Sequence, residues 1–198
     1  MTAQDFWVLS PEIAMALLAL VVISVDLVTR SMAKVSTVAF VGLVVPLILT
    51  LNLWNGWFGD PATGPALFDT FEADRFSLFF KFILLTVMAG TILASAKYIA
   101  SDRMKDYGGE FVSLVLLSVT GMMILVSATE LITIYVALEL TALPVVALAA
   151  IHRSKRGVEA GTKFFVLSAI SSALLLYGFA YIYGYTGSTN LHLIMVRL

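Results

Sequence analysis

Glu139 is the residue in this chain whose type and position most directly suggest chemistry. It sits within "TIYVALELTALPVVAL" (Thr133 to Leu148), a segment that carries no basic residue and is otherwise almost wholly apolar. A lone carboxylate is expensive to bury in a soluble core and more so in hydrocarbon. Such a group either takes up a proton or faces water or a cation inside a bundle, and a carboxyl that can gain and lose a proton is the usual element of a proton relay. The competing reading is a neutral glutamate acting as hydrogen-bonded glue between helices. Tyr135, one turn earlier on the same helical face, can offer a phenolic hydroxyl. Pro144, five residues on, removes the amide that would have bonded the Leu140 carbonyl, which leaves an acceptor beside Glu139. Pro144 is equally readable as a packing kink.

A second charge, Lys163, stands four residues after Glu159. An i,i+4 pair with a snorkelling lysine explains it, and so does an inward lysine exchanging protons with the Glu139 region through water. Ser168, Ser171 and Ser172 follow on the same segment, where small hydroxylated residues permit close helix contact and hold water. The remaining charges have plainer explanations. Asp26 pairs with Arg30 at i,i+4, Lys81 snorkels or meets a nearby acid, and Glu12 beside Pro11 suits a helix start. His152 and His192 lack the partners of a metal site.

The elements that carry these residues follow from composition. The 198 residues are 60% hydrophobic and 13% charged, with a mean hydropathy of +0.98. Soluble domains are about half apolar and about a quarter charged, so the chain reads as an all-α, polytopic membrane protein. Six candidate spans appear, at about 13–29, 35–55, 76–96, 111–128, 131–151 and 161–183. They form a single membrane domain, 1–198, with no β-sheet expected. The fourth and fifth are almost continuous and must form a tight antiparallel pair. On this reading Glu139 lies near the bilayer midplane, beyond reach of either interface.

A net charge of −1 and the lack of a basic stripe argue against nucleic acid. With no cysteine, thiol chemistry is excluded. The first residues carry no basic stretch and do not resemble a cleaved signal peptide. Basic residues fall between spans one and two, three and four, and five and six, while the other side holds Arg75 and a surplus of acids, Asp60, Asp69, Glu72 and Asp74. The positive-inside rule then puts the basic connections in the cytoplasm and both termini outside a plasma membrane. Trp7, Trp54, Trp57, Tyr181, Tyr183 and Tyr185 lie at the outer span ends, as an aromatic belt would.

"LITIYVALELTALPVVAL" with "GVEAGTKFFVLSAISSALLLYGFAYIYGYTGSTNL" resembles the N subunit of bacterial NADH:quinone oxidoreductase, respiratory complex I. "SPEIAMALLALVVISVDL" and "DRFSLFFKFILL" are similar to the same family, so the resemblance covers nearly the whole chain. It implies a proton-translocating membrane-arm subunit with no redox cofactor of its own. NADH, FMN, iron–sulfur clusters and quinone would belong to other subunits, and the partners would be other membrane-arm subunits and lipid. In the family a fifth-helix glutamate couples to a seventh-helix lysine and the sixth helix carries another lysine; Glu139 and Lys163 match the first and last. Family members have about fourteen helices in inverted repeats, so the resemblance also implies that this is the N-terminal portion of a longer architecture, as a fragment or split product. Two further readings stay open: a subunit of a multi-subunit sodium/proton antiporter, and a structural module bridging neighbours.

Overall fold

Long apolar runs have one open-chain solution in lipid, the helix, because it satisfies every backbone polar group within the segment. The computed structural model describes residues 3–29, 31–56, 65–99 and 107–198. Helix α1 (Ala3–Val8) leads into α2 (Ser10–Thr29), followed by α3 (Met32–Gly42) and α4 (Val44–Asn55). Strands β1 (Pro65–Ala66) and β2 (Phe71–Glu72) precede α5 (Arg75–Ile99), α6 (Gly108–Leu125), α7 (Leu131–Ala149), α8 (Lys155–Thr186) and α9 (Leu191–Arg197). Among the described residues, six helices are long and apolar enough to cross a membrane: Ser10–Thr29, Ala33–Asn55, Arg75–Ile99, Gly108–Leu125, Leu131–Ala149 and Lys155–Thr186. Each coincides with one of the six spans read from sequence.

The second span is interrupted at Leu43, which ends α3 and begins α4. Pro46 explains the break, since it has no N–H to offer the Gly42 carbonyl and its ring crowds that oxygen. The sixth departs in length. Ser154 accepts the Gly157 amide at 3.1 Å as an N-cap, so α8 starts well before the apolar stretch. At 1.5 Å per residue α8 runs about 48 Å, longer than the hydrocarbon core, and carries Lys155 and Arg156 out beyond it.

By alternation of the spans, the connections α2–α3, α5–α6 and α7–α8 share one end of the bundle, here the basic face. The hairpin, the α6–α7 turn and α9 share the other, the acidic face. The core lies among α2, α3, α5 and α6, where Met15, Val22, Val35, Met88, Ile92, Leu116 and Met123 are buried. Ser113 of α6 donates to the Ala19 carbonyl of α2 at 3.1 Å, and Gly109 leaves room for Asp26 to close on α6. Arg30, the partner expected for Asp26, lies outside the described residues, as do Trp57 and Asp60. Trp7, Trp54, Tyr181, Tyr183 and Tyr185 are exposed at the acidic-face ends.

The expectation of no sheet is corrected on the acidic face. Strands β1 and β2 pair antiparallel, Pro65 with Glu72 and Ala66 with Phe71. The turn between them holds Leu67, Phe68 and Asp69 at φ of 53°, 60° and 65°, a left-handed run without glycine. Backbone bonds from outside hold it: Asp5 accepts the Leu67 amide at 3.1 Å, Glu72 donates to the Ser127 carbonyl at 2.8 Å, and Thr129 donates to the Thr70 carbonyl at 3.1 Å. Two residues per strand give no alternating pattern to read in advance.

Candidate functional site

Helices α6 and α7 meet at contact distance around Glu139. A Cβ on Gly121 would fall 2.7 Å from the Thr141 amide nitrogen and 2.9 Å from the Leu140 carbonyl carbon, so only glycine lets α6 approach there. Ser118, one turn earlier, donates to the Thr141 carbonyl at 2.9 Å, next to the Leu140 carbonyl that Pro144 leaves without its helical donor. Pro144 itself is buried, and α7 continues through it.

Helix α8 closes the other side. Glu139 is half-buried, and Ser172 Oγ of α8 donates a hydrogen bond to its Oε1. The register comes from the α7–α8 turn, where Gly161 packs so closely on Ala150 that a Cβ would stand 2.8 Å from the alanine's. Eleven residues back along α7 from Ala150 is Glu139, and eleven forward along α8 from Gly161 is Ser172. Eleven residues are close to three whole turns, so both stay on the facing stripe. Ser168, Leu175 and Phe179 share that half-buried stripe, and the rest of α8 is exposed between Gly161 and Thr186.

Lys163 is on the other side of α8. Nine residues separate it from Ser172, which at about 100° per residue turns it half-way round the helix. There Nζ meets Glu159 Oε1 at 2.5 Å, with side chains 71% and 58% exposed. The two charges singled out in the sequence are therefore not brought together. Tyr135 is half-buried and lines an apolar cavity of about 520 Å³ between α7 and α8, with Leu131, Leu176, Phe179 and Tyr183.

The start of α7 is clamped. Glu130 accepts Thr189 Oγ1 at 2.7 Å and Thr133 Oγ1 at 3.3 Å, while Leu131 donates to the Thr189 carbonyl at 2.9 Å. Asp69, Thr129 and Asn190 extend the network through bonds of 2.8 and 3.0 Å to the Asp69 carbonyl. The helix that carries Glu139 is thus anchored to both the hairpin and the α8–α9 turn.

A second charged site escaped the sequence reading. Glu12, taken there as a helix-start acid, and Lys81, taken as snorkelling or paired, form an ion pair of 2.7 Å with side chains 1% and 0% exposed. Snorkelling is thereby ruled out in favour of pairing. The Phe71 ring lies 5.0 Å from the ammonium, within cation–π range. What betrays the pair in sequence is two opposite charges, each inside the outer turns of a different span. His152 shares a hydrogen bond of 3.3 Å with Tyr98, and His192 lies 3.8 Å from Glu72. Among the described residues no three His, Asp or Glu side chains gather as metal ligands.

The family described as NADH:quinone oxidoreductase/Mrp antiporter, transmembrane, matches residues 128–197, the segment holding Glu139, Ser172 and Lys163. NADH-quinone oxidoreductase subunit N 2 of Koribacter versatilis is 34% identical over 98% of this chain and 40% of its own length. Subunit N of Rhodobacter capsulatus is 34% identical over 96% of this chain and 39% of its own. Subunit N of Beijerinckia indica is 41% identical over 76% of this chain and 30% of its own. Among solved structures, a chain of respiratory complex I from Thermus thermophilus superposes with a TM-score of 0.68 at 30% identity, over 91% of this chain and 38% of that one. A chain of an archaeal membrane-bound sulfane sulfur reductase shares the fold, with a TM-score of 0.74 at 22% identity over 96% of this chain and 40% of that one. The chain spans about two-fifths of the length of the first of these relatives.

Proposed function

The chain belongs to the antiporter-like membrane subunits of the NADH:quinone oxidoreductase type, and we propose that it carries protons across the membrane within such a complex. The observation that supports this most is the Glu139 carboxyl, mid-helix and half-buried, held across α7 and α8 by one hydroxyl donor among the described residues. One donor leaves the carboxyl with spare acceptor capacity, so it can bind a proton or a water without breaking its cradle. The Leu140 carbonyl, which Pro144 leaves without its helical donor, offers a water a second partner. Electron transfer among NADH, FMN, iron–sulfur clusters and quinone would take place in other subunits, with this chain contributing a route for protons.

Lys163 enters the same proposal from the far side of α8. Its pairing with Glu159 is exposed on this chain, so it would exchange protons with an element packed on the outer face of α8 rather than directly with Glu139. The basic face would be cytoplasmic and the acidic face, with the N-terminus, outside the plasma membrane. The relatives carry the N-subunit name, which favours this reading over a sodium/proton antiporter.

The test is a substitution series at Glu139 in the assembled complex. Glu139→Asp keeps a titratable group with shorter reach and should retain part of the pumping; Glu139→Ala should assemble and lose it. Equal pumping by both variants would refute a role in proton transfer.

A further inference from the structure

The buried pair of Glu12 and Lys81 has no part in the relay proposed above. Glu12 lies in the first turn of α2 and Lys81 about 9 Å into α5 from Arg75, both at the acidic-face ends of their helices. A lysine at that depth can reach the interface along its stem at little cost. Instead its ammonium is fully buried against Glu12 and capped by Phe71, itself 1% exposed. The ammonium and a Glu12 carboxylate oxygen stand 2.7 Å apart, both shut off from solvent. A buried ion pair is a poor structural tie, since the desolvation of both charges offsets much of their attraction.

The cap has two faces. Adjacent residues of a strand point to opposite sides, so Phe71 covers the pair while its neighbour Glu72 faces out. Glu72 lines a pocket of about 300 Å³ with Asp69, Thr129, Asn190, His192 and Leu193, on the acidic face. Strand β2 touches both sites, through Phe71 on the ammonium and Glu72 in the pocket, and its hairpin is bonded to the α6–α7 turn through Glu72 and Thr129.

We propose that Glu12 and Lys81 are a second proton-exchange couple, passing protons between the bundle interior and the acidic-face pocket past Phe71. This rests on the proton-carrying reading of the chain but not on Glu139. A proton arriving on the Glu12 carboxylate gives the neutral acid and releases its hold on Lys81. The Lys81 ammonium then gives a proton to water on the pocket side and becomes the neutral amine. Transfer of the proton from the Glu12 carboxyl to the Lys81 amine restores the ion pair, so one proton enters and one leaves. The hairpin gives the cap a means to respond to α7, because its anchor at Thr129 borders the Glu130 clamp.

The test uses the assembled complex in sealed vesicles, with turnover started by NADH and a quinone. Time-resolved infrared difference spectra should contain a transient carboxylic-acid C=O band that persists in Glu139→Gln and disappears in Glu12→Gln. If Glu12→Gln does not assemble, the exchanged variant Glu12→Lys/Lys81→Glu keeps both charges and should shift the band instead. The neutral variant Glu12→Gln/Lys81→Met should keep electron transfer and lose pumping. A pumping wild type with no band sensitive to residue 12, or a neutral variant that pumps as wild type, would overturn the couple and leave a structural pair. Failure of the α7 relay reads out separately, as full pumping by Glu139→Gln with the Glu12 band intact.

Discussion

Ser172 and Lys163 lie on the same helix but on opposite sides of it, and only Ser172 meets Glu139. This divides the polar residues of the sixth span's neighbourhood into an inner contact, half-buried between α7 and α8, and an outer one open to whatever packs on α8. Each can be tested by itself.

Ser172→Ala removes the donor to Glu139 while leaving the helix stripe intact. A hydrogen bond to an ionised partner is worth about 1.5–3 kcal/mol, and one between neutral groups about 0.5–1.5 kcal/mol. Thermal unfolding of the variant therefore reads the resting charge of Glu139. A loss in the upper range is expected for a carboxylate, together with reduced pumping; no change in either would mean that the contact contributes nothing.

Gly121→Ala puts a Cβ into the α7 backbone at Leu140 and Thr141. Overpacking of this kind costs about 1–3 kcal/mol. The expected result is a lower Tm and weakened coupling, because the helices part where Glu139 is held. The same substitution at Gly178 or Gly184, where nothing stands within 4 Å, should be neutral in Tm and is the control.

Lys163→Met separates stability from transport. The pair with Glu159 is solvent-open on this chain, and such pairs contribute about 0–1 kcal/mol. Assembly and Tm should therefore hold while pumping falls. Unchanged pumping would reduce Lys163 to a surface partner of Glu159.

Single cysteines report the orientation. Lys155→Cys on the basic face should react with an impermeant thiol reagent only from the cytoplasm, and Val196→Cys on the acidic face only from outside. Labelling of position 155 from outside intact cells would reverse the assignment.

Span positions were legible because apolar runs of the right length admit one structure in lipid, and Glu139 because a lone charge stands out against them. The α6–α7 pairing was legible too, since a turn as short as Val126 to Glu130 permits nothing else. Ser172 could not be picked from Ser168 and Ser171, because the choice depends on a register set at Gly161 and Ala150. Glu12 and Lys81 each had a sufficient local explanation, and only the packing of α2 near α5 joins them. The hairpin escaped because Leu67, Phe68 and Asp69 adopt left-handed φ where turn rules look for glycine or asparagine. The early start of α8 turns on the Ser154 cap, whereas the sixth span was drawn from its apolar stretch alone.

The central claim is that titration of Glu139 carries protons. Its most direct test is the number of protons moved per NADH oxidised by vesicles holding the assembled Glu139→Gln complex, compared with wild type. Glutamine preserves shape and can still accept the Ser172 hydroxyl, but it cannot titrate. The account predicts normal assembly with a clear loss of coupled proton movement. A Glu139→Gln complex that assembles and pumps at the wild-type ratio would contradict it and leave Glu139 as a packing contact between α7 and α8.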